Sequence, residues 1–175
     1  MLNHILQLDN MNKNICYTWI DEDSFSDFVK NIEKLFRTSP DYKFWLDTIP
    51  NRDICSATEL TKYNDGVTIH IHHYENTLWD IVTHILEKFD ENNLPINAFY
   101  ICIILSELHM NGCISYVPLS HDVHDQIHND YELTIQKYPT ILDHVVYGNK
   151  EKFQIILDKY VKNFKALTEE IINDQ

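Results

Sequence analysis

Apolar residues recur along this chain at two periods, and the change of period divides it into helices and strands. In SFSDFVKNIEKLFR, residues 24–37, Phe25, Phe28, Val29, Ile32, Leu35 and Phe36 fall at three- and four-residue spacing. That spacing places them on one face of a helix, with Ser24 positioned to cap it. DYKFWLDTI, residues 41–49, predicts a further short helical turn. The period then drops to two: Val67, Ile69 and Ile71 alternate with Thr68, His70 and His72, which predicts a strand. The residues from Asp53 onward read as a second strand, paired to the first through a turn at Asn64-Asp65-Gly66. Helical spacing returns at Leu78, Ile81, Val82, Ile85, Leu86 and Phe89, behind Thr77 as a cap. INAFYICIILSELHM, residues 96–110, is apolar nearly all round and predicts a central helix that Asn111-Gly112 ends. CISYVPL reads as a strand closed by Pro118, and Ser120 then caps a helix running through SHDVHDQIHNDYELTIQKY. A short helix near 140–147 and a longer one over 149–173 follow. The longer helix carries Phe153, Ile156, Leu157, Tyr160 and Phe164 on one face.

This order of elements predicts an α+β fold. One compact domain is expected, with an N-terminal helical segment over 1–52 and a C-terminal helical segment over 131–175. Between them lies a β-containing core over 53–130, into which helices are inserted at about 77–111. With 175 residues, 44% of them hydrophobic, the chain can bury a substantial core, and three glycines and five prolines argue against a loop-built one. No apolar run approaches the length of a membrane span. The opening MLNHILQLDNMNKN lacks the basic and small-residue features of a secretion signal, so a cytoplasmic location is expected. The cysteines, Cys16, Cys55, Cys102 and Cys113, show no C-x-x-C spacing and read as buried thiols. The abundance of Asn, Ile, Lys, Tyr and Asp suggests an AT-rich genome, such as that of a bacteriophage or mobile element.

Charge changes the picture. The net charge is −13, and residues 53–148 hold most of it, with only Lys62, Lys88 and Lys137 against a surplus of carboxylates. Such a stretch disfavours sequence-independent phosphate binding, which depends on Lys and Arg. The same stretch holds the residues with the clearest chemistry. His70, His72 and His73 cluster in VTIHIHHY, and His124 and His128 stand four apart in the helix after Ser120. An i, i+4 pair projects from one helical face about 6 Å apart, a gap one metal ion can bridge. His72 and His73 end a strand and point to opposite faces. One of them can complete a three-nitrogen site while the other stays free of metal as a base, since neutral imidazole serves both roles near pH 7. Glu75, Asp122 and Asp125 read either as outer carboxylates orienting the histidines or as solvated charge. His121 reads as surface, and His4, His84, His109 and His144 have no assigned role.

HIHHY followed by ISYVPLSHDVHDQIH resembles the HNH, or ββα-metal, endonuclease motif. The resemblance covers about residues 53–130 and is strongest in VPLSHDVHDQIH. It implies an HNH-like ββα core with a long helical insertion, and a hydrolase that cuts nucleic-acid phosphodiester bonds with one divalent ion (Mg, Mn, Ni or Zn). It implies His72, His124 and His128 as metal ligands and His73 as the base that activates water. Ser115 stands where many members have the asparagine that orients the base. Ser115 and Asn111 are therefore candidate supports, and His70 lines the site or offers an alternative ligand. As an active nuclease the chain would partner nucleic acid, with no membrane involved, in a bacterial host cell if phage-encoded. The alternative is an HNH-derived acidic protein, weak or inactive in cleavage. It would engage a basic host protein, as a DNA mimic does.

Overall fold

The computed structural model describes residues 22–173, with side chains over 23–167. The first residues of the expected N-terminal segment, Cys16 among them, lie outside the described residues.

Helix α1 spans Glu22–Thr38 and α2 spans Pro40–Thr48. α1 starts two residues before Ser24, so that serine is not its cap. On α1, Phe28, Val29, Ile32 and Phe36 are buried, while Leu35 is exposed. At α2, Ser39 accepts the Tyr42 N–H and Pro40 opens the first turn, the position where its missing N–H costs nothing.

Strand β1 is Ile69–His73, and it does not pair with the residues before it. Its partner is β2, Tyr116–Ser120, antiparallel, with His72 opposite Val117 and Ile71 opposite Pro118. The expected strand from Asp53 is instead a tight loop, closed on itself by Cys55 N–H to Leu60 O and Lys62 N–H to Asp53 O, with one isolated bridge between Ile54 and Thr61. Asp65 caps the Thr61 N–H and Gly66 turns the chain at φ +67°. β2 outcompetes this loop because it brings Val117 and Leu119, both fully buried, beneath the sheet. Pro118 does not close β2 but sits in its middle. The Pro118 carbonyl accepts from Ser56 on the side away from β1, so its missing N–H falls on that same outer edge.

Between the two strands lie α3, Leu78–Glu91, and α4, Ala98–Met110. Thr77 and Asp80 form a reciprocal capping box on α3. α4 is not apolar-buried all round. Ile101, Ile104, Leu105, Leu108 and His109 face inward, while Phe99, Ile103 and Met110 are exposed. Asn111 and Gly112 (φ +67°) end it as expected.

After β2 the chain enters α5, His121–Asn129, directly from Ser120. The helix expected through residue 138 is broken at Asp130, which accepts the Leu133 N–H and starts α6, Tyr131–Lys137. A 3-10 turn at Pro139–His144 and helix α7, Lys150–Asn173, follow. Two apolar clusters result. The larger joins α1, α2, α3, α4 and α7, and the smaller sits under the sheet with Cys55, Val117, Leu119, Val123, Ile127 and Ile141. The architecture is α+β, mostly helical, with a small antiparallel sheet followed by a helix. No helix among the described residues is long and apolar enough to cross a membrane.

Candidate metal centre

The smaller cluster holds α5 against the sheet through Val123 and Ile127, which are buried. Residues 124 and 128, one step from those anchors, therefore lie along the seam where α5 meets β1. His72 reaches the same seam from β1. The ligand atoms of His72, His124 and His128 all lie within 4.8 Å of one another. Their rings stand edge to face, with centroids 5.3 Å apart for His72–His124, 5.1 Å for His72–His128 and 4.5 Å for His124–His128. The Nε2 atoms of His124 and His128 are 3.3 Å apart. Two imidazole nitrogens about 2.0–2.1 Å from one tetrahedral ion would stand about 3.3 Å from each other.

The electrostatics favour the neutral form of two triad members, His72 and His124. Burial, then the charges of His124 and His128, pull His72 down to about 4. Burial also lowers His124, with His128 and His70 adding to it. Asp125 stands 3.7 Å from His124 Nδ1, on the side away from His128. It favours a proton on Nδ1 and leaves the Nε2 lone pair toward the triad. His70 joins from the next position on the same strand face, its ring stacked on His124 at 5.1 Å and tilted against His121 at 5.2 Å. His121 is exposed, as expected.

His73 turns to the opposite face of β1. It is buried between Trp45 and His109, and its Nε2 lies 3.0 Å from His109 Nε2. Proton positions follow from chemistry. His109 Nδ1 is 2.7 Å from the Leu105 carbonyl, which can only accept, so that nitrogen carries the proton. Burial holds His109 at about 4 and His73 well below its usual value, so both rings are neutral. His109 Nε2 must then accept, His73 Nε2 donates to it, and the lone pair of His73 falls on Nδ1.

The expected supports divide. Ser115 is buried and placed at the end of β1. Its carbonyl accepts the Tyr74 N–H, and its hydroxyl donates to Glu75 and accepts from Gly148 N–H. Asn111 is not brought there, because its side chain bonds back to the Glu107 carbonyl at the end of α4. Glu75 pairs with Lys150 rather than with a histidine.

A cleft of about 500 Å³ runs along β1, lined by His70, His72, His73, His124 and His128, by Asp53, and also by Arg37, Lys62 and Arg52, the last paired with Asp47 and Asp53. These cations were missed from sequence. Arg37 and Arg52 lie in the segment before the expected core, and only the packing of α1 and α2 against α4 carries them to the histidines. His109 was missed because a lone histidine in an apolar helix signals nothing without its partner.

The molecule is thus an α+β protein with a three-histidine cluster in a cleft of mixed charge. Its sequence matches the family described as Bacteriophage G278-like virion protein over residues 3–174, and the chain belongs to that family. It is a phage protein. No curated protein and no solved structure matches it.

Proposed function

We propose that this virion-family protein is a divalent-metal-dependent phosphodiesterase acting on nucleic acid, with His72, His124 and His128 holding the ion. The observation that carries the reading is the convergence of three imidazoles, within 4.8 Å, in the same cleft as Arg37 and Lys62. An isolated histidine cluster would suit a purely structural ion. The adjoining Arg37 and Lys62 offer positive charge to an anion beside it, while Arg52 is already paired with Asp47 and Asp53. The all-nitrogen donor set selects zinc or nickel over magnesium and calcium, which favour oxygen ligands. Bound there, such an ion would supply Lewis acidity to a phosphodiester oxygen.

The remaining roles belong to the chain. His73, on the cleft wall with its lone pair on Nδ1, is the candidate proton acceptor for the attacking water. His109 holds that ring in its tautomer. Ser115 fixes the strand end behind it. The chemistry would be of the HNH type, a reading supported by the resemblance at His72, His73, His124 and His128. Family membership points to a role with the virion rather than in the cytoplasm at large.

Elemental analysis of purified protein, followed by a plasmid-nicking assay with Mg²⁺, Mn²⁺, Ni²⁺ and Zn²⁺, tests the reading. The expected result is about one transition-metal ion per chain and metal-dependent cleavage. His73→Ala should abolish cleavage and retain the ion, whereas His128→Ala should lose both. Metal-replete protein that leaves phosphodiesters intact would overturn the proposal. The acidic-binder reading would then stand, on the net charge of −13.

A further inference from the structure

The segments that carry the triad also carry tyrosines. Tyr74 directly follows His72 and His73, and Tyr131 opens α6 just beyond His128. Their hydroxyls meet at 2.7 Å and their ring centroids stand 6.4 Å apart. Tyr147 packs edge-on to Tyr74 at 6.0 Å. Tyr131 is 46% exposed and Tyr147 59%, a large ring area left facing water. A second opening, of about 350 Å³, lies between Tyr74, Tyr131, Thr77 and the histidines 72, 73 and 128. Those three histidines also line the larger cleft. His72, His73 and His128 therefore stand on a divide, with the larger cleft on one side and tyrosines on the other. Glu75 borders the tyrosine opening, but its carboxylate is paired with Lys150 and Ser115, which offsets its charge there.

We infer that these tyrosines form a stacking subsite for an unpaired nucleobase, so that the strand this protein takes is single-stranded nucleic acid. The inference rests on the phosphodiesterase reading and names its substrate class. A strand lying across the divide would leave one phosphate at the histidines and present the neighbouring base to the rings. A duplex keeps its base faces stacked inside and has nothing to offer them, whereas every unpaired base has a free π-face. The rim hydroxyls of Tyr74 and Tyr131 bond to each other rather than being directed at a particular base. The subsite accordingly tolerates any base.

The test uses the full chain, zinc-loaded and zinc-stripped, with an eight-nucleotide DNA strand carrying a fluorescent purine analogue. Binding should quench the analogue, and the same sequence as a duplex should bind at least about tenfold more weakly. Tyr131→Ala combined with Tyr147→Ala should weaken single-strand binding by about tenfold per ring. Tyr131→Phe keeps the π-face, loses the hydroxyl contact and should bind as the parent does. Circular dichroism of each variant separates loss of stacking from loss of fold. Binding without quenching, equal affinity for duplex, or a double-alanine variant that binds normally would each overturn the inference. Hydrolysis of a simple phosphodiester lacking any nucleobase reports the reaction alone. Hydrolysis without tyrosine-dependent stacking sinks the subsite and spares the enzyme. Tyrosine-dependent stacking without hydrolysis does the reverse.

Discussion

At the scale of single residues, the buried pair His73–His109 is the least conventional feature of the site. Two neutral imidazoles share one proton bridge of 3.0 Å, anchored by the Leu105 carbonyl. Replacing His109 by leucine keeps the apolar packing against Phe36 and Trp45 but leaves the His73 Nε2–H without an acceptor. An unpaired buried donor costs about 1–3 kcal/mol, which urea denaturation of the variant at pH 7 should register. The fold should respond to pH through the same rings. Burial holds His72 and His109 at about 4 and His73 below its usual value, whereas in the unfolded chain they titrate near 6.5. Between those values the unfolded chain binds more protons, so stability rises with pH across the window and falls on acidification. Metal-free protein should hold a steady urea midpoint above pH 6.5 and lose it progressively toward pH 4. His109→Leu should show a shallower loss, with one fewer buried imidazole to protonate. An unchanged midpoint from pH 7 to 4.5 would mean that water reaches these rings freely.

At the scale of elements, the junction of β1, β2 and the chain before α7 is held by one small residue. A Cβ added to Gly148 would meet the Cys113 carbonyl oxygen at 2.3 Å and the Ile114 carbonyl carbon at 2.8 Å, both backbone atoms that cannot swing aside. Its N–H also donates to Ser115, whose hydroxyl in turn grips Glu75 beyond His73. Gly148→Ala should therefore destabilise the fold by about 1–3 kcal/mol and loosen the end of β1. Thermal melting and metal affinity should fall together in this variant, and a normal melt would contradict the tight approach. Local signals made much of this level legible in sequence. The Thr77 cap, the Asn111-Gly112 stop and the apolar face of α7 are written within a few residues each. Strand pairing was not, because Ile69–His73 alternates equally well against either neighbour. The choice between the loop after Asp53 and the distant β2 depends on which partner buries Val117 and Leu119. The break at Asp130 was hidden as well, since that residue reads as an ordinary exposed helical position until its side chain is seen capping Leu133.

At the scale of the whole molecule, the candidate site joins parts of the chain that composition had set apart. The strongly acidic stretch supplies the histidines, while the nearly neutral N-terminal segment supplies Arg37 and Arg52. Segment charges therefore do not describe the cleft, whereas the histidine spacing marks the three imidazoles that meet there. That arrangement would make a bound ion a cross-link between β1 and α5, whose seam is otherwise closed by the smaller apolar cluster. An ion that binds the folded chain and has little affinity for the unfolded one stabilises by mass action, about 4 kcal/mol when free metal is a thousandfold above its dissociation constant. For a chain of this size that corresponds to a rise of roughly ten degrees in melting temperature. Zinc or nickel should produce the rise, a chelator should reverse it, and His128→Ala should remove it while melting close to the metal-free parent. Magnesium should give little, because three imidazoles present no oxygen donors. Helices α1, which bears Arg37, and α2 belong to the larger cluster and lie outside that cross-link. Hydrogen exchange should accordingly slow on β1 and α5 when metal binds and change least on α1. Equal slowing everywhere would mean that the molecule unfolds as one unit, and no thermal shift at all would mean that the three imidazoles do not hold an ion.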